Sequence, residues 1–297
     1  MGDWSREERE VVALLSQLSD SLNRTAVQWA DFRRFAASRT HLTFAVLLLV
    51  VLNSSVSKVH GQDWVVSEKR DGLLFFSETP INVDGIANEM KSLRKELHNV
   101  VNVETAKTPV ELIIFESHAS YQRYLKASLP DALQRRAIFY RRKDTFQIYS
   151  WSHRELIKDL RHEYTHALLH QALPFVPLWI DEGLAEYFED RPGTRLKSSR
   201  FASVKWKTRT SWKPSLLGLE RIPSANRMSQ QDYLNSWAWV AYLLNDSPES
   251  FTTFRAYLHA ISIGEAPGVF SDYLAERSHT IPNQVGSYFR KIRISLR

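Results

Sequence analysis

The stretch His162-Glu163-Tyr164-Thr165-His166, followed closely by Trp179-Ile180-Asp181-Glu182-Gly183-Leu184-Ala185-Glu186-Tyr187-Phe188, decides how this chain is read. Residues four apart on a helix share a face, so His162 and His166 can both reach one ion. Neutral imidazole is a good zinc ligand. Glu163 is one step round the helix. It can address a water beside the ion, and zinc lowers the pKa of such a water toward ~7, so a nearby carboxylate can take its proton. Catalytic zinc usually has three protein ligands and one open position. Glu182 is expected as the third ligand, in the first turn of a second helix starting near Asp181 and folded back across the first. Gly183 and Ala185 are small enough to allow that approach. Asp181 is the alternative ligand, one residue away in helical phase. Glu186, four residues after Glu182, is expected either to accept the free ring N–H of His162 and fix its tautomer, or to stand in solvent as most glutamates do. His153 and His170 read as surface or cap histidines.

His-Glu-x-x-His also occurs by accident where the histidines are surface residues. Three features weigh against accident here: a helical context, a following helix that starts with carboxylates, and apolar flanks (Leu160, Leu168, Leu169, Leu184, Phe188) on the side expected to be buried.

The chain has 297 residues, 43% hydrophobic and 12% aromatic, enough for a sizeable core. Its net charge of +6 is spread out, and short runs such as Arg135-Arg136 and Arg141-Arg142-Lys143 suit solvated faces rather than a nucleic-acid track. The complete lack of cysteine excludes disulfides, thiolate metal sites and a cysteine nucleophile, so any metal must be held by histidine and carboxylate.

Residues 1–61 read as an N-terminal extension. The apolar run Leu42 to Leu52 follows Arg33, Arg34 and Arg39 and precedes Asn53-Ser54-Ser55, the layout of a secretory signal. At under ~18 residues the run is short for a spanning anchor. The expectation is therefore an exported protein, periplasmic or extracellular, with membrane association through residues 42–52 as the variant. About 40 residues precede the run, more than a signal's first region usually has, which suggests a start downstream of Met1.

From residue 62 onward the pattern is α+β. Leu73 to Phe76, Pro109 to Phe115, Ala137 to Tyr140 and Thr145 to Tyr149 read as strands, and Ile86 to Val101 and Ala119 to Leu129 as helices. Ser152-His153-Arg154-Glu155 has capping-box form ahead of the His-Glu-x-x-His helix. Residues 194–228 look irregular, and the rest mainly helical, clearest over Asp232 to Leu244 and Pro248 to Ile261.

On these two segments, His-Glu-Tyr-Thr-His-Ala-Leu-Leu and Pro-Leu-Trp-Ile-Asp-Glu-Gly-Leu-Ala-Glu-Tyr-Phe, the chain resembles the gluzincin metallopeptidases, and among them the bacterial peptidase MA-like domains. The resemblance implies a thermolysin-like zincin fold with a small N-terminal mixed sheet, an active-site helix and a mainly helical C-terminal part. It implies Zn2+ held by His162, His166 and Glu182, Glu163 as base, and Glu186 as support for His162. It also marks Tyr233, at the start of Tyr233-Leu234-Asn235-Ser236-Trp237, as donor to the oxyanion, where the bland alternative is a packing tyrosine. The strand Thr145 to Tyr149 takes the place of the gluzincin edge strand that pairs with an extended peptide. The gap from His166 to Glu182 is shorter than in the aminopeptidase N branch, and that branch's Gly-x-Met-Glu-Asn motif is missing. The expected function is hydrolysis of a peptide or protein substrate, with no nucleic-acid partner. The alternative is a zinc-stabilised binding or envelope protein without turnover.

Overall fold

Asp71-Gly72 turns the chain with φ of 49° and 82°, the paired positive values of a type I′ hairpin turn, which Asp-Gly adopts readily. It joins β1 (Val66–Arg70) to β2 (Leu73–Ser77) in antiparallel register. The computed structural model describes residues 64–102, 108–130, 135–210, 212–278 and 284–292. The run Leu42 to Leu52, for which a signal or anchor role is expected from sequence, lies outside them. No helix among the described residues is long and apolar enough to cross a membrane.

From β2 the chain crosses through α1 (Val83–Val101) to β3 (Val110–Phe115), parallel to β2. After α2 (His118–Ser128) come β4 (Ile138–Arg142) and β5 (Thr145–Trp151), an antiparallel hairpin. β5 inserts beside β3 in parallel register, which gives the order β1-β2-β3-β5-β4. The edge strand on the β5 side is therefore β4. The expectation that Thr145 to Tyr149 forms the edge is corrected: β5 has a neighbour on both sides and cannot accept a peptide. β1 was not read from sequence because four of its five residues are exposed, so it lacks the apolar alternation that marks a strand.

Strand side chains alternate between faces. Phe75, Leu112, Ile114 and Ile148 join the main core with Met90, Leu93 and Leu97 of α1. The opposite face carries an aromatic layer in which Phe115 meets Trp64, Tyr121 and Tyr124 at 5.1–6.1 Å between ring centroids.

The rest is helical: α3 (Leu156–Ala172), α4 (Leu178–Phe188), α5 (Ser199–Lys207), α6 (Leu216–Glu220), α7 (Gln230–Asn245), α8 (Pro248–Ser262), α9 (Phe270–Ala275) and α10 (Val285–Lys291). The architecture is mixed α+β. α3 starts at Leu156, so Glu155 is its cap residue and the capping box does not form; instead the Glu155 N–H donates to His153 Nδ1 at 3.2 Å. α4 starts three residues earlier than expected, because Pro177 sits at its cap and sets the first turn. α5 falls inside the stretch read as irregular; it is capped by Ser198 and buries only Phe201 and Val204, too few apolar positions for a clear helical period.

α4 is a core helix, packed on α3 on one side and most extensively on α7 on the other. Gly183 serves the α7 contact rather than the α3 contact. A Cβ there would lie 2.7 Å from the Ser236 carbonyl oxygen and 2.7 Å from a Val240 methyl. Gly183→Ala is expected to force these helices apart and cost about 1–3 kcal/mol, the usual range for overpacking. A urea unfolding midpoint equal to wild type would show that the helix pair has slack.

Candidate metal centre

Arg161, the residue before His162, positions the centre. Its guanidinium is 2% exposed. It donates to the carbonyls of Phe188 at 2.9 Å and Glu189 at 3.2 Å, at the end of α4, and pairs with Glu89 at 2.8 Å and Glu96 at 3.4 Å on α1. α1, α3 and the end of α4 are thereby locked around one charge.

His162 and His166 lie one turn apart on α3 with their Nε2 atoms 3.3 Å from each other. Glu182 Oε2 of α4 is 3.8 Å from His162 Nε2 and 3.6 Å from His166 Nε2. Tetrahedral zinc with bonds of about 2.05 Å sets its ligand atoms about 3.3–3.4 Å apart, so the three atoms match the base of a zinc-sized tetrahedron to within a few tenths of an ångström. Glu182 is 4% exposed, and its Oε2 has no hydrogen-bond partner among the described residues. A buried carboxylate oxygen without a donor is costly. His162, His166 and Glu182 together would hold a cation whose charge would offset that cost, and the donor set suits a divalent metal. These groups are thus close enough to bind a metal.

The other ring nitrogens are held by carboxylates. His166 Nδ1 lies 2.8 Å from Asp181 Oδ1, and Asp181 Oδ2 lies 2.9 Å from His170 Nε2. Asp181, the alternative ligand, therefore sits behind His166, on the side away from the triangle. His170 steadies Asp181. His162 Nδ1 lies 3.2 Å from Glu189 Oε2. A carboxylate at each Nδ1 favours placing a proton there, so that in the neutral form of each ring Nε2 would turn its lone pair to the triangle.

The support of His162 differs from the sequence reading. Glu189 holds its ring, while Glu186 contacts Arg200, which also grips Glu189. Helical phase explains the exchange. Seven residues after Glu182 the helix returns to within about 20° of its direction, against about 40° for four residues. Glu189 also sits one turn further along, level with Nδ1 of His162. The i+7 position was the available signal.

Burial pulls His166 toward neutrality, but the charge and hydrogen bond of Asp181, with Glu182 and Glu163, outweigh it and raise its pKa to about 10. Burial acts on Glu189 in the raising sense, yet the His162 hydrogen bond, Arg200 and Lys158 hold it at about 2. The cluster is a set of buried carboxylates balanced by cations.

Glu163 lies outside the triangle. It is 7% exposed, and its Oε2 accepts the backbone N–H of Phe139 on β4 at 2.7 Å. The base candidate is thus held between the histidines and the open side of the edge strand. The Phe139 ring is stacked with His166 at 6.4 Å between centroids and tilted against His170 at 5.5 Å. Tyr233, in the first turn of α7, is half-buried. Burial first and Glu182 next push its phenol pKa up, against a hydrogen bond from Arg135. Tyr233 thus lies within electrostatic range of Glu182.

No family model matches this chain, and no curated protein is similar to it in sequence.

If the triangle holds a divalent metal, removing the charge at Glu189 is expected to weaken its binding about 10- to 100-fold, as loss of a ligand-orienting partner typically does, and Glu186→Gln to weaken it less. Competition against a chromophoric chelator measures both. Equal losses in Glu189→Gln and Glu186→Gln would contradict the assignment of the His162 partner.

Proposed function

We propose that the chain is a zinc-dependent metallopeptidase of the gluzincin type, hydrolysing peptide bonds. The observation that carries this reading is the Nε2–Nε2–Oε2 triangle of His162, His166 and Glu182, with the orphaned Glu182 oxygen at one corner and Glu163 beside it. Those three residues would hold the zinc. When bound, zinc supplies Lewis acidity, polarising the scissile carbonyl and making a water acidic near neutral pH.

The chain's own residues do the rest. Glu163 takes the proton of the attacking water and returns it to the leaving amine. The Phe139 N–H aims the Glu163 carboxylate. Because this N–H points away from β5, the free side of β4 can align an extended peptide past Glu163 by main-chain hydrogen bonding. Tyr233 donates a hydrogen bond to the oxygen that gains negative charge as the carbonyl is attacked. Export through the segment around residues 42–52 is part of the same proposal and rests on sequence.

Glu163→Gln is expected to keep one zinc per chain and to lower turnover of a peptide library about 10²- to 10⁴-fold, the range for loss of a general base. A variant that cleaves at the normal rate would remove Glu163 from the mechanism. Zinc-loaded wild-type protein that cleaves no peptide in the library would favour the zinc-stabilised, non-catalytic alternative.

A further inference from the structure

A cavity of about 960 Å³ opens behind the Glu186 and Glu189 side of the metal centre, with Tyr233 on its wall. Its lining carries five cationic side chains, Arg136, Arg154, Lys158, Arg200 and Lys207, against three acids, Glu155, Glu186 and Glu189. The two signs lie at different depths. In the pair of Arg136 with Asp159 the arginine is 57% exposed and the aspartate 11%. Lys158 is 33% exposed and its partner Glu189 7%. Arg200 is 23% exposed and Glu186 10%. Glu155 is the exception, 42% exposed beside Arg154 at 95%; Glu186 and Glu189 lie on the floor beneath Arg200 and Lys158. With five cations to three acids the lining is net positive, and a cleft walled by protein concentrates such a field.

Two further features act in the same direction. Glu155 and Lys158 at the start of α3, Ser199 and Arg200 at the start of α5, and Gln230 and Gln231 at the start of α7 all line the cavity. Three helices thus turn their positive ends toward one space. Arg136 also lies two residues before β4 begins, so the open edge of β4, which passes Glu163, leads directly into the cavity. A peptide lying along that edge enters the cationic space on one side of the bond under attack.

We propose that this cavity is a substrate subsite for a carboxylate group, which makes acidic peptides the preferred substrate class. The proposal rests on the peptidase reading for the word substrate. The recognition itself rests on the cavity alone. The carboxylate has two possible sources: an aspartate or glutamate side chain, or the free C-terminus of a short peptide.

The test measures binding, so it does not depend on turnover. Zinc-loaded full-length Glu163→Gln protein is titrated with fluorescent peptides in three arms: Asp or Glu within an amidated peptide, the matching Asn or Gln peptide, and the Asn or Gln peptide with a free C-terminus. One carboxylate arm should bind at least ~10-fold tighter than the neutral amidated peptide, the low end of what electrostatic focusing achieves. The advantage should shrink as salt is raised. It should also fall in the Arg154→Glu, Lys207→Glu double variant. The affinity ratio is the readout, which a general loss of folded protein does not move. Whichever carboxylate arm gains identifies the source. Equal affinity in all three arms, or a ratio unchanged in the double variant, overturns the subsite. Cleavage of peptides by wild type without any charge preference would overturn the subsite and leave the peptidase reading standing. Charge-selective binding without any cleavage would do the reverse.

Discussion

One buried guanidinium holds the arrangement together. Arg161 meets the last carbonyls of α4 and two glutamates of α1 while its neighbour in sequence, His162, faces α4. Removing one partner of a buried charge pair is strongly destabilising, whereas the intact pair contributes little net stability. The value of Arg161 is therefore geometric. It fixes where α4 ends relative to α3, and Glu189, on which the orientation of His162 depends, is at that end. The contact of Gly183 with Ser236 and Val240 fixes the opposite side of α4. With both sides set, Glu182 has little freedom in where its carboxylate lies.

The charges around the centre obey the same logic. Glu163, Glu182, Glu186 and Glu189 are all nearly buried within a few turns of helix, which is unfavourable unless cations or donors meet each of them. Glu189 has Arg200, Lys158 and His162; Glu186 has Arg200; Glu163 has the Phe139 N–H. At Glu182 one oxygen is left without a donor, and it is the oxygen that faces the two imidazoles. A divalent ion at that point would complete the balance. The outer cations outnumber the acids along the adjoining cavity, and this gives it its sign.

Much of this was legible in the sequence. The four-residue spacing of His162 and His166 and the carboxylate on the next helix are local features, and helical geometry alone brings them to one face. The strands β2, β3, β4 and β5 and the long helices α1, α7 and α8 were visible through their apolar period. What was not legible depended on three-dimensional partners. Sheet order is non-local, so which strand of the β4–β5 hairpin lies at the edge could not be read from either strand. That Glu189 rather than Glu186 meets His162 turned on how the end of α4 lies against α3, which the Arg161 contacts set. The role of Arg161 was not legible because nothing in its neighbourhood along the chain announces Glu89 or Glu96, both more than 60 residues away. His170 sits in the last turn of α3, 31% exposed; its contact with Asp181 was hidden for the same reason, since Asp181 lies on another helix.

The central claim is that His162, His166 and Glu182 form one metal-binding triangle. The most direct measurement is zinc K-edge X-ray absorption on the full-length chain loaded with one equivalent of zinc and desalted. The account predicts a four- or five-coordinate ion with two imidazoles and oxygen ligands at about 2.0–2.2 Å. Failure to retain zinc, or a spectrum of oxygen ligands alone without imidazole scattering, would contradict it.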